Sequence, residues 1–90
     1  MLNTVIIMAK IHELKTWPPE FQAIYSGRKT FEVRRNDRDF KEGDEVLLRE
    51  YILTNGSYTE RRIRKKIGFI LSNPNPFLYL PDGYVILSLI

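Results

Sequence analysis

Ninety residues with 43% apolar and 28% charged composition make one small domain, which excludes two independent cores and a disordered chain. The lack of cysteine excludes disulfides and thiolate metal sites, and no apolar run approaches the length of a membrane span. The net charge of +3 is segregated: residues 27–38 carry +3 and residues 60–66 carry +4, leaving −4 on the remaining chain.

Residues 1–9 form an N-terminal extension or loose tail. Val5-Ile6-Ile7-Met8 is too brief an apolar patch for a secretory leader, and Met8-Ala9-Lys10 looks like a second start. The domain then occupies residues 10–90. Ile11 to Trp17 is a strand. Pro18-Pro19 opens a helix, with Pro18 outside and Pro19 in the first helical position, because the residue before a proline avoids the α region. Glu20 falls in the first turn, where the helix dipole favours an anion. Phe21, Ile24 and Tyr25 recur at helical spacing and face the core. Gly27 stops the helix.

Thr30 to Asn36 is the second strand. Phe31 and Val33 share one face, and Thr30, Glu32 and Arg34 share the other. Asp37 to Asp44 is a polar loop anchored by Phe40, with Gly43 at a turn. Glu45 to Leu53 is the third strand. Thr54-Asn55-Gly56-Ser57 marks a hairpin of the type I′ kind. Tyr58 to Leu71 returns, with Ile63, Ile67, Phe69 and Leu71 on one face and Arg62, Arg64 and Lys66 on the other. Ser72-Asn73-Pro74-Asn75-Pro76 breaks that strand. Asp82-Gly83 is a turn, and Tyr84 to Ile90 is a final, largely buried strand. The expected fold is mainly β, within the α+β class: a small barrel or curled sheet of five or six strands, with one helix after the first strand.

The densest chemistry lies in Gly27-Arg28-Lys29-Thr30-Phe31-Glu32-Val33-Arg34-Arg35-Asn36-Asp37-Arg38. Lys29 follows the helix stop, so it either pairs with a phosphate or with Glu32, acts as a base in a semi-buried site, or stands as an exposed loop lysine. Glu32 and Arg34 point the same way. On a solvent face they are an ordinary ion pair of about 0–1 kcal/mol. Lining a pocket, they set an acceptor beside a guanidinium fork and can meet a base edge and its phosphate. His12 is the only histidine, so it is either a packed residue or a catalyst, and a zinc site has too few ligands. No Ser-His-Asp arrangement, phosphate-binding glycine loop or dinucleotide fingerprint is present. Trp17, Tyr25, Tyr51, Tyr58, Tyr79 and Tyr84 are either core residues or platforms on which bases stack.

Gly27-Arg28-Lys29-Thr30-Phe31-Glu32-Val33-Arg34 resembles the Gly-x-Lys-x-x-Glu-x-Arg signature of ASCH domains, which are PUA-like β-barrels. The frame around it is similar too: His12-Glu13-Leu14-Lys15 before a proline-led helix, Asn36-Asp37-Arg38-Asp39-Phe40 and Gly43-Asp44 after the signature, then Leu48-Arg49-Glu50-Tyr51, Tyr58-Thr59 and Tyr84-Val85. The chain looks most like a small bacterial and phage ASCH-like branch of unknown function, over residues 10 to 90. The resemblance implies a PUA-like barrel whose cleft, beside the helix, receives RNA or a nucleotide. Lys29, Glu32 and Arg34 would face the ligand. Lys15, Arg35, Asn36 and Arg38 would supply neighbouring phosphate or base contacts.

The expected function is therefore a cytoplasmic module binding RNA or a nucleotide, monomeric, with no cofactor, no metal and no membrane contact. The alternative is a small hydrolase. One enzymatic branch of the family deacetylates acetylcytidine with a Lys, a Thr and a distant Glu. Lys29 matches that lysine, but Glu32 stands where the threonine belongs, and the insertion carrying the distant glutamate is absent. Some ASCH proteins are ribonucleases, and Lys29 with Glu32 would be the proton-transfer pair of such an enzyme. A third reading is an adaptor whose basic strand docks an acidic protein.

Overall fold

The computed structural model describes residues 9–90. The expected tail over residues 1–9 lies, apart from Ala9, outside the described residues. Along the chain run β1 (Ile11–Thr16), α1 (Pro18–Tyr25), β2 (Phe31–Arg35), β3 (Glu45–Ile52), β4 (Ser57–Ser72) and β5 (Tyr84–Leu89). The fold is mainly β: a single five-stranded mixed sheet in the order β1-β3-β4-β5-β2, with one helix. Only β1 and β3 run parallel.

Helix α1 starts one residue earlier than expected. Both prolines lie inside it, at the first two positions, and Trp17 is the extended N-cap with ψ 142°. Neither position has an intrahelical partner for its N–H, so a second proline costs nothing there. Gly27 takes φ +82° as the stop. The amides of Gly27 and Lys29 then bond back to the carbonyls of Ile24 and Ala23, both at 3.0 Å, which pins Lys29 beside the helix it has just left. Phe21 and Ile24 are buried, whereas Tyr25 is 60% exposed and stacks on Phe21.

The expected closed barrel is not formed, and the described residues hold five strands. Strands β1 and β2 are the two edges and share no backbone ladder. Strand β4 spans 16 residues because it serves two neighbours. Its first part, up to Lys66, pairs with β3, and its second part, from Ile67, pairs with β5. The register slips between Ile67 and Phe69, so the face alternation reverses at Gly68. As a result Phe69 points outward and is 56% exposed, against the strict alternation expected, while Ile70 packs on the core. The β3–β4 hairpin also differs from expectation. Ile52 pairs with Ser57 across a four-residue loop, and Asp39 is the only described non-glycine residue with positive φ. A two-residue type I′ turn needs that conformation at Asn55, so Gly56 alone, at φ +66°, turns the chain.

Leu14, Ile24, Phe40, Val46, Leu48, Ile67, Val85, Leu87 and Leu89 form the core inside the curl. One polar device braces it. The buried Asp44 carboxylate accepts His12 Nε2 at 2.8 Å and the amides of Lys10 and Lys41 at 3.2 and 3.1 Å. The His12 ring also meets Phe40 edge-on at 4.8 Å. His12 is therefore a packed, hydrogen-bonded residue that ties β1 to the loop before β3. Burial pushes the Asp44 carboxyl up, but the His12 hydrogen bond, the two amides and the His12 charge outweigh it and hold it below its ordinary value.

A folded-state value below the unfolded one stabilises above the ordinary carboxylate pKa of about 3.9, and that stabilisation fades as pH falls through the folded value. Asp44→Ala is expected to cost roughly 2–3 kcal/mol at neutral pH, because it strands a ring N–H and two amides. Urea denaturation across pH should show the mutant and wild-type curves converging as the pH drops below 4.

Candidate functional site

Strand β2 is inverted relative to the simplest hydrophobic pattern. Phe31 and Val33 are 44% and 49% exposed, while Glu32 is 4% exposed. The apolar pair covers the outside of the sheet, opposite Ser88 and Ile86 of β5. The polar face of β2 therefore lines the inside of the curl, at its helix end. Thr16 of β1 and Glu50 of β3 also point inward there and are buried.

A cleft of about 540 Å³ opens at this end, lined by Lys15, Thr16, Trp17, Glu20, Lys29, Phe31, Glu32, Val33 and Arg34. Glu32 is at its floor. Its Oε2 accepts Arg34 Nε at 2.9 Å, and its Oε1 lies 3.4 Å from Lys29 Nζ. Lys29 Nζ also donates to Glu20 Oε2 at 2.5 Å, joining the site to α1. Arg34 uses its other arm on the sheet seam, where Nη2 donates to the Lys15 carbonyl at 2.6 Å. The Thr16 hydroxyl is buried with no partner among the described residues. Trp17 stands at the rim, 55% exposed. With the Lys15 ammonium turned away onto Tyr51, two cations, Lys29 and Arg34, face two carboxylates, Glu20 and Glu32, so the cleft interior suits a group carrying donors and acceptors better than a bare anion.

The structure brings four of the seven expected ligand residues to this cleft: Lys15, Lys29, Glu32 and Arg34. Lys15 contributes from the rim, because its ammonium lies over the Tyr51 ring at 4.5 Å on the outer face. The other three lie elsewhere. Arg35 points outward and rests on Tyr84, 5.5 Å from the ring centre. Asn36 accepts the Phe40 amide at 3.0 Å and shapes the loop. Arg38 donates to the Glu13 carbonyl at 2.8 Å, further along the same β1 edge that Arg34 holds. Two residues of the cleft escape a linear reading. Glu20 shows in sequence only a helix-dipole preference, and Thr16 only strand propensity. The helix, by returning the chain at Gly27, is what sets Glu20 beside Lys29. Among the described residues, no three His, Asp or Glu side chains converge to hold a metal ion.

Fold and site together define a small mainly β domain with a charged cleft at the open seam of a curled sheet. A family model described as "Domain of unknown function (DUF3850)" matches residues 11–89, and the chain belongs to that family. It is also similar to a protein of Escherichia phage P2 described as "Uncharacterized 12.9 kDa protein in GpA 3'region", with 36% identity over 61 residues, or 68% of this chain. That match spans 54% of the phage protein, about half its length.

Arg34 is both a cleft residue and a seam residue, and lysine lacks the fork needed to serve both carbonyl and carboxylate. Arg34→Lys is expected to lower stability by roughly 1–2 kcal/mol. Hydrogen exchange followed by mass spectrometry should show faster exchange across β1, with the core strands β4 and β5 little changed.

Proposed function

We propose that this chain binds a nucleotide unit of single-stranded RNA in the cleft, as a module of the ASCH and PUA-like kind. The observation that carries the proposal is the buried Glu32 carboxylate held between Lys29 and Arg34, in a cleft that the exposed Trp17 also lines. A carboxylate at the floor accepts from a base amino or imino group, and the flanking cations donate to base carbonyls or ring nitrogens. The Thr16 hydroxyl offers a further polar contact, since a buried hydroxyl without a partner gains from any group that satisfies it. Trp17 at the rim supplies the π-face on which a base stacks. The curl of the sheet and the position of the helix after the first strand agree with the PUA-like resemblance of the Gly27–Arg34 signature. The seam, bridged by side chains in place of a backbone ladder, is where such a pseudo-barrel would open.

The hydrolase alternative has less support. A lysine acting as base needs an ammonium poor in carboxylate partners, and Lys29 has two within 3.4 Å. Mass spectrometry after incubation with acetylated nucleosides and short RNAs would bring that alternative back if product formed with wild type and not with Lys29→Ala.

Fluorescence anisotropy with a labelled single-stranded RNA tests binding directly. Lys29→Ala and Arg34→Ala are each expected to weaken it by roughly 1–3 kcal/mol. Trp17 is the only tryptophan, so its emission should also quench on titration. Absence of both signals at low salt sinks the proposal.

A further inference from the structure

The second basic block, residues 60–66, takes little part in the cleft. Its place in the sheet shows a second surface. Cross-strand partners share a face, so the outer side of β1, β3 and β4 follows from the register. Lys15, Arg49 and Arg62 lie in one row, and Tyr51 faces Tyr58 in the next. Leu47 faces Arg64 and Glu45 faces Lys66 further down. Five cations and three carboxylates, Glu13, Glu45 and Glu60, give this face +2.

Two of the carboxylates are already engaged, Glu13 by Arg49 at 2.5 Å and Glu45 by Arg64. Among the described residues no carboxylate pairs with Lys15 or Arg62. The tyrosines are interleaved with the cations. Tyr51 and Tyr58 meet edge-on at 5.0 Å, Lys15 lies over Tyr51, and the Arg49 guanidinium lies 3.9 Å from the centre of the Tyr58 ring. Tyr58 is 40% exposed. Arg49 directly opposite Arg62 is a like-charge cross-strand pair, which by itself destabilises a sheet. A surface that keeps such a pair beside the half-buried Tyr51 and the exposed Tyr58 is complementary to a chain of phosphates whose bases are free to stack.

We infer that the outer face of β1, β3 and β4 is a track for single-stranded RNA, continuing from the cleft over Lys15 onto Tyr51, Tyr58, Arg49, Arg62 and Arg64. The inference rests on the cleft reading for one end of the strand. Lys15 is the junction, because it lines the cleft and its ammonium sits on the Tyr51 ring.

The test compares a nucleoside monophosphate with a labelled RNA of about 12 nucleotides, within the usual span of such surfaces. Arg62→Glu and Arg64→Glu are expected to weaken oligonucleotide binding roughly five- to tenfold each, to flatten its salt dependence, and to leave mononucleotide binding unchanged. Tyr58→Ala is expected to weaken oligonucleotide binding roughly fivefold or more. Arg62→Glu places a carboxylate opposite Arg49, so it should melt no lower than wild type, which separates lost binding from lost folding. Oligonucleotide affinity that ignores Arg62, Arg64 and Tyr58 yet falls with Lys29→Ala overturns the track and leaves the cleft reading intact. Affinity that depends on Arg62 and not on Lys29 upholds the outer surface and overturns the cleft reading. Equal losses on duplex and single-stranded RNA, with Tyr58→Ala silent, reduce the face to an unspecific cationic patch and overturn the inference. No binding of RNA by the wild type overturns both.

Discussion

A carboxylate turned into the interior governs this molecule. Glu32 is buried on a strand whose apolar residues face outward, and burying a charge is costly unless it is paired and hydrogen-bonded. Lys29 and Arg34 provide those partners, and each reaches beyond Glu32 to something else. Lys29 ties the site to α1 through Glu20. Arg34 ties β2 to the backbone of β1, the other edge of the sheet. The cluster therefore does two jobs at once. It neutralises Glu32, and it holds together three elements that no backbone ladder joins. A hydrophobic residue at position 32 would avoid the burial cost altogether, so the charge is kept either for the elements it holds together or, under the proposed function, for a ligand.

The rest of the fold sets the stage for that cluster. The long β4 passes from one neighbour to another, and the slip at Gly68 turns the sheet so that its two edges approach. Gly68 suits the slip. A Cβ there would sit 3.2 Å from the Ser88 hydroxyl and 3.3 Å from Ile90. At the seam, Arg34 and Arg38 each cap a β1 carbonyl, which leaves fewer bare edge groups for another chain to pair with. Arg61 does a related job on the helix. Its guanidinium bonds Gln22 at 2.8 Å and lies on the rings of Phe21 and Tyr25, so α1 is clamped from the β4 side. That helix in turn fixes Glu20 and the Trp17 rim.

Much of this was legible in the sequence, for identifiable reasons. The prolines, Gly27 and the Asn-Gly hairpin are local signals, and each marks its element within a residue or two. The convergence of Lys29, Glu32 and Arg34 followed from a helix stop joined to a strand of period two. What local signals do not carry is the long-range arrangement. Arg35, Asn36 and Arg38 adjoin the signature in sequence, yet strand alternation and the following loop carry them away from the cleft. Phe69 was assigned inward because a one-residue slip leaves no mark that periodicity can detect. A small barrel or curled sheet was expected, and the structure leaves the sheet open with arginine side chains reaching the β1 edge. Glu20 entered the site only through the fold of the chain at Gly27, and no spacing rule would have joined it to Lys29.

The central claim is that the Glu32 cluster is a ligand site and not merely a brace. The most direct measurement is a nitrogen-edited NMR titration with nucleoside monophosphates, following the Arg34 Nε, Trp17 indole and Lys29 backbone signals together. The account expects these to shift in step and saturate on one binding curve, with the His12 and Asp44 region unmoved. Shifts confined to other surfaces, or no shift at any of these groups at high nucleotide concentration, would contradict it.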